Sequence, residues 1–248
     1  MTTLLLAAVA TAVGFFIGAV GVGGILLIPA LVLLGGLDIH RATATALFSF
    51  LFTGCLGTWL FQRRGSIDWR MTVPVCVGAV IFSYLGAMAN AMVDARNLAL
   101  IIAAIIVCAG AYILRPVTPG TGRRRDGRSG GQQVLLLAVG AVSGFGSGLS
   151  GAGGPLFSVP IMLLLGFAPL AAIGTSQVLQ IIAAIAGTAG NLKYGSVDFP
   201  TAAWITAFEL AGVVAGTRAA HAVGVTVLRR MAAGLCIAAG LLMLVRAT

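Results

Sequence analysis

Residues 147–155 read SGLSGAGGP, in a stretch otherwise apolar enough to cross a membrane. Within it, Gly148-Leu149-Ser150-Gly151 sets a hydroxyl between glycines, and Ala220-His221-Ala222-Val223-Gly224 supplies an imidazole further on. One chemistry on offer is therefore acyl transfer by a serine that a histidine activates. A second is recognition of an anion by backbone. Gly151, Gly153 and Gly154 recur as Gly21, Gly23 and Gly24 in GAVGVGGILLIPA, residues 18–30, and glycine breaks free helix N-termini whose N–H groups attract negative charge. The third reading has no chemistry in it: small residues let helix backbones approach closely.

The polar side chains around these stretches suit the second reading. Thr43, Thr45, Ser49 and Thr53 lie on one apolar segment, and Thr175, Ser176, Gln177, Gln180 and Thr188 on another. Hydroxyl and amide groups can donate to oxyanions, although each of these residues could equally make an interhelical hydrogen bond. Gln177 and Gln180 stand out because an amide in an apolar span needs partners. Glu209 is the one carboxylate well inside a span, where an ionisable group costs about 2.5–3.5 kcal/mol on insertion scales. It could carry a coupling proton, pair with Arg218, or hydrogen-bond as a neutral acid.

These residues must be held by membrane helices. The 248-residue chain is 59% hydrophobic and 8% charged, and a bilayer core about 30 Å thick takes roughly 20 apolar residues per helix. Almost everything outside residues 116–132 divides into pieces of that length, which excludes an ordinary soluble domain. The net charge of +9 does not point to nucleic acid, because the basic residues sit in short connections, as positive-inside topology requires. Cys55, Cys76, Cys108 and Cys236 are scattered singly and read as small hydrophobes; no metal or cofactor is expected. The first residues, MTTLLLAAVATAVGFF, lack the positive start of a secretory signal and read as a retained membrane segment.

A shift of 130 residues aligns the chain with itself without a gap, from about Leu5 on Leu135 to Leu114 on Leu244. Gly14, Gly18, Gly21, Gly23 and Gly24 fall on Gly144, Gly148, Gly151, Gly153 and Gly154; Thr45 falls on Thr175, Gly86 on Gly216, and GSIDW on GSVDF. Apolarity alone would not keep glycine and polar positions in register, so the chain reads as two copies: residues 1–115 and 133–248, joined by a basic Gly/Pro/Arg linker, 116–132, expected in the cytoplasm. Each copy has a glycine-broken run (3–36 and 133–166) and three spans: 40–61, 71–92 and 97–115, then 169–191, 201–222 and 225–246. Pro155, just after the last glycine, suits the first turn of a new helix, so Gly24 and Gly154 are expected to begin half-helices.

If the broken run crosses once, the copies are parallel; if it is re-entrant, they are inverted. Inversion puts 11 of the 15 Lys and Arg inside, against 10 for the parallel arrangement. Equivalent loops differ more tellingly. QRRGSIDWR is rich in arginine where LKYGSVDFP is poor, as copies facing opposite ways would be. Inverted repeats with both termini outside are therefore expected.

The serine–histidine pair resembles the dyad of rhomboid intramembrane proteases. Against it, Ser150 and His221 fall on Val20 and Ala91 in the other copy. The glycines persist without the nucleophile.

An early G-x-x-G-x-G-G run to a proline, then ATATALFSFLFTG, then RRGSIDW, repeated as GLSGAGGPLFSVP, AAIGTSQVLQ and KYGSVDF, resembles the sulfite exporter TauE/SafE family from Leu5 to about Leu244. The resemblance implies a multi-pass transporter of the bacterial inner membrane. Its substrate would be a sulfur-containing anion, such as sulfite or an organosulfonate like sulfoacetate, moved by alternating access with export the expected direction. A passive anion channel is the alternative within transport, and the protease the alternative outside it. The expected anion site is Gly21, Gly23, Gly24, Thr45, Ser150, Gly151, Gly153, Gly154, Thr175, Ser176, Gln177 and Gln180, with Glu209 for proton coupling. The expected partners are the anion and the bilayer, without nucleic acid, and a homodimer is left open.

Overall fold

The computed structural model describes residues 2–21, 24–114, 130–194 and 197–222, with single helical positions between 234 and 245. The linker from 115 to 129, Gly23, and nearly all of the span expected at 225–246 lie outside the described residues. Regular structure among the described residues is all helical: α1 (Thr2–Val20), a 3₁₀ turn (Gly24–Leu26), α2 (Leu27–Leu33), α3 (Ile39–Arg63), α4 (Trp69–Met92), α5 (Ala95–Leu114), α6 (Gly130–Ser150), α7 (Pro155–Leu164), α8 (Pro169–Tyr194) and α9 (Phe199–Ala222). Five of these, α3, α4, α6, α8 and α9, are long and apolar enough to cross a membrane. The expected spans that fall among the described residues match to within a few residues, and α6 begins at Gly130, three residues inside the expected linker.

Helix starts follow from the few acids. Asp38, Asp68 and Asp198 are N-caps whose carboxylates accept from the backbone N–H of Arg41, Arg70 and Thr201, each at 3.0 Å. Asp94 accepts from the N–H groups of Arg96 and Asn97 ahead of α5. Such a cap satisfies N–H groups that have no partner within the helix. The repeated G-S-[IV]-D-[WF] stretch is thereby explained: a buried apolar residue (Ile67, Val197), a capping aspartate, and an aromatic first helical residue.

Helices in lipid gain little from the hydrophobic effect between one another and associate by close packing. Two pairs do this with backbone against backbone. A β-carbon at Gly14 or Gly216 would overlap the Glu209 or Phe15 carbonyl across the α1–α9 contact, and one at Gly140, Gly148 or Gly86 would overlap the Val75, Ser83 or Phe145 carbonyl across α4–α6. The outer face of α4 presents Val73, Val77, Val80, Ile81 and Leu85 at helical spacing, exposed as a lipid-facing stripe should be.

The contacts give directions. Across α1–α9, Gly14 meets Glu209 and Gly18 meets Thr217; across α4–α6, Val75 meets Gly140 and Ser83 meets Gly148. Partner numbers rise together, so each pair is parallel. Thr72 with Thr175 and Tyr84 with Gly190 make α4 and α8 parallel, and Thr45 with Asp198 and Arg64 with Thr217 do the same for α3 and α9. Across α3–α8 the numbers run oppositely, Leu47 meeting Gly187 and Gly57 meeting Gln177. Thus α1, α3 and α9 run one way, and α4, α6 and α8 the other.

Overfilling these contacts should cost about 1–3 kcal/mol each. Gly140→Leu and Gly216→Leu are expected to lower the thermal midpoint of the detergent-solubilised protein. Gly131→Ala, whose added methyl would meet open space, is expected to leave it unchanged.

Candidate functional site

The glycine motif divides into two jobs. Gly14, Gly18, Gly144 and Gly148 are helical and serve packing, whereas the later glycines break the helix. α1 stops at Val20, and Gly21 takes φ +74° with its N–H on the Ile17 carbonyl at 3.0 Å. α6 stops at Ser150, and Gly151 takes φ +68° with its N–H on the Ser147 carbonyl at 2.8 Å. A side chain in that left-handed region costs about 1–2 kcal/mol. The chain turns helical again at Gly24 in the first break; in the second, Gly154 is the N-cap of α7 and Pro155 occupies its first turn. The second half-helix starts at Pro155 after Gly154, as expected; in the first break a 3₁₀ turn from Gly24 precedes α2, which starts at Leu27.

The two breaks touch. A β-carbon at Gly24 would lie 2.8 Å from the Ala152 carbonyl oxygen and 2.7 Å from the Phe50 ring; Gly153 lies against the same ring, and Gly154 against Leu179. Phe50 and Leu179 are near the middles of α3 and α8, and all of these groups are buried. Gly21 faces Ser176, and Gly151 sits against the backbone of Thr43.

The polar side chains of this region bond to protein groups. Ser150 Oγ donates to the Gly146 carbonyl at 2.6 Å and accepts from Ala152 N–H at 3.3 Å; Ser176 Oγ donates to the Ile173 carbonyl at 2.7 Å. Gln177 Nε2 donates to the Ile17 carbonyl at 3.3 Å, while its buried Oε1, lying over Gly57, has no hydrogen-bond partner among the described residues. Gln180 Nε2 bridges the Phe50 carbonyl at 3.0 Å and Thr53 Oγ1 at 2.8 Å. Both glutamines thus join α8 to the first copy's helices beside the breaks.

Thr45 and Thr175 are placed differently. Thr45 Oγ1 accepts from Asp198 N–H at 3.0 Å, and Thr175 shares a 2.9 Å hydroxyl bond with Thr72. Two residues beyond Thr43, Thr45 points about 200° around the helix, toward α9 rather than toward the break. Among the expected site residues, the structure therefore gathers Gly21, Gly24, Ser150, Gly151, Gly153, Gly154, Ser176, Gln177 and Gln180. It sets Thr45 and Thr175 in separate helix contacts.

Glu209 is fully buried, and neither carboxylate oxygen has a partner at hydrogen-bond geometry among the described residues. The Ser49 hydroxyl faces it but is bonded to the Ala46 carbonyl at 2.8 Å. An ion pair with Arg218 is not formed: that residue is exposed, nine positions further along the same helix, about 13 Å by helical rise. With the four aspartates of the described helices used as caps, Glu209 is the acid there without a structural task.

The serine–histidine dyad is not assembled. Ser150 precedes Gly151, which packs on Thr43 in the first turns of α3. His221 follows Thr217, whose carbonyl accepts from Arg64 at the far end of α3. Because α3 and α9 are parallel, the two residues lie about 30 Å apart along the bundle.

Asn90 went unnoticed in the sequence. Its Nδ2 donates to the Leu149 carbonyl at 2.6 Å and to Thr43 Oγ1 at 3.2 Å, and its Oδ1 meets His40 Nδ1 at 3.2 Å. It ties the second break to the start of α3. The signal was the one that marked Gln177, an amide in an apolar span. Asn90→Ala would strand the Leu149 carbonyl, at about 1–3 kcal/mol. The expected outcome is a lower thermal midpoint in detergent, with Ser150→Ala causing a smaller change.

Long apolar helices carrying two touching helix breaks define a multi-pass, all-helical membrane protein. The chain belongs to the sulfite exporter TauE/SafE family, whose model matches residues 4–243. It is 26% identical over 219 residues to the probable membrane transporter protein YdhB of Bacillus subtilis (strain 168), covering 83% of this chain and 85% of that one. It is 25% identical over 229 residues to the probable membrane transporter protein YunE of the same organism, covering 84% and 81%. A probable membrane transporter protein of Xylella fastidiosa is 26% identical over 173 residues, covering 66% and 64%. No solved structure matches the chain. The protein is thus a membrane transporter of the TauE/SafE type.

Proposed function

We propose that this transporter moves a small sulfur-containing anion, sulfite or an organosulfonate such as sulfoacetate, outward across the bacterial inner membrane by alternating access. The observation that carries the reading is the buried meeting of two glycine breaks, each followed by a half-helix. Half-helix N-termini near mid-membrane attract anionic groups without a buried cation, each contributing roughly 0.3–2 kcal/mol. A site without lysine or arginine also suits a substrate that must be released. Gln177 and Gln180 are the side chains nearest to joining the backbone donors, once a rearrangement frees their amide groups.

Inverted repeats are supported by the helix directions. α1 and α3 run the same way, so the segment between them has to double back, and the same holds for α6, α7 and α8. α3 and α8, which correspond under the 130-residue offset, cross antiparallel near Phe52 and Ile182, themselves 130 apart, as a two-fold axis in the membrane plane requires. The linker then lies at the end bearing Arg63, Arg64 and Arg70, which agrees with a cytoplasmic linker. Glu209 is the proposed proton carrier, because a proton on its carboxyl removes the cost of an unpaired charge in the membrane.

Reconstituted vesicles test the reading. Labelled sulfite or sulfoacetate is expected to cross protein-containing vesicles with saturation, and His221→Ala is expected to leave the flux intact. Flux without saturation would point to the channel, and absence of any anion flux would reject the proposal. With a pH gradient imposed, wild-type flux should be stimulated, and Glu209→Gln should keep downhill flux while losing the stimulation.

A further inference from the structure

The two ends of the bundle differ. At the end opposite the linker, the N-termini of α3 and α9 meet, and Arg41 Nη2 reaches Asp198 Oδ2 at 3.5 Å. Asp198 is held in place for this: its N–H donates to Thr45 Oγ1 at 3.0 Å, and its Oδ1 caps Thr201 at 3.0 Å. At the linker end, the N-termini of α4 and α8 meet in the same way. The positions 130 residues away from Asp198 and Arg41 are Asp68 and Ala171, so the aspartate is kept and the arginine is missing. Where the ion pair would be, Asp68, Ala171, Ser66 and Ala168 line a surface depression of about 610 Å³, with Arg70 on the Asp68 side and no basic residue on the α8 side.

We infer that the Arg41–Asp198 pair is a latch that holds α3 against α9 and closes the substrate path at the end away from the linker, while the depression at Asp68 and Ala171 is the open mouth at the other end. The side chains are 47% and 19% exposed, and pairs exposed to water contribute only about 0.2–1 kcal/mol. That strength suits a gate. It biases one closed arrangement without preventing the ends from parting in each cycle, whereas a buried pair would cost several kcal/mol to break. The inference rests on the transporter reading for its purpose, but its test reads access rather than flux.

Ala202 provides the probe. It is fully buried one turn inside Asp198, its N–H on the Asp198 carbonyl at 2.9 Å. In a chain whose four native cysteines are alanine, the reaction of Ala202→Cys with an impermeant maleimide is followed in sealed vesicles, from the side on which the exposed Ala95→Cys reacts. Arg41→Gln and Asp198→Asn each remove one charge, and asparagine retains the cap on Thr201. Each is expected to raise the labelling rate about 1.5- to 5-fold, the range that 0.2–1 kcal/mol converts to, with the double variant no faster than the faster single. Arg41→Lys, which keeps the charge, should label within 1.5-fold of the parent. Equal rates in all variants, or a double variant as fast as the product of the singles, would overturn the latch. Anion flux with no labelling response rejects the latch alone; a labelling response without anion flux rejects the transport reading and leaves the latch standing.

Discussion

Backbone lying on backbone, at the α1–α9 and α4–α6 contacts, is the constraint on which the rest of this structure depends. Lipid cannot satisfy an exposed N–H or C=O group, and it supplies no hydrophobic drive to press helices together. Glycines such as Gly14, Gly140 and Gly216 let carbonyls of one helix rest where a neighbour's side chains would be. That close approach fixes which helices run together. It also leaves α3 and α8 to cross in the interior, where Phe50 and Leu179 meet the breaks.

Within that frame, the breaks are tolerated because protein covers them. Gly24 lies beside the Ala152 carbonyl, Gly151 lies on the Thr43 backbone, and Asn90 bonds the Leu149 carbonyl. Irregular backbone at membrane depth survives only under such protection. The same protection leaves Ser150, Ser176, Gln180 and Asn90 buried and bonded to protein groups. A substrate would have to enter through a rearrangement, so what holds the helix ends together matters as much as the breaks between them.

The acids illustrate how sparing the chain is with charge. Asp38, Asp68, Asp94 and Asp198 each stand at a helix start and answer N–H groups that the helix cannot. Among the described residues only Asp198 does more, reaching across to Arg41 at one end of the bundle. Glu209 caps nothing and has no charged partner among them.

Much of this was legible in the residues alone. Apolar runs of bilayer length, the 130-residue self-alignment and the positions of Gly21, Gly24, Gly151 and Gly154 mark the helices and their breaks, because periodicity and glycine act locally through backbone geometry. Gln177, Gln180 and Glu209 were visible as polar groups that an apolar span must accommodate. What needed the tertiary structure was which groups meet. Thr45 and Thr175 share the spans of the breaks but face other helices, a matter of rotation about an axis that sequence spacing leaves open until the neighbours are placed. Ser150 and His221 look like partners in the chain and lie about 30 Å apart along the bundle, since helix direction, not order along the chain, sets their distance. Asn90 and Arg41 gained their meaning only from Leu149 and Asp198, residues far away in sequence, which close packing of parallel helices brings within reach.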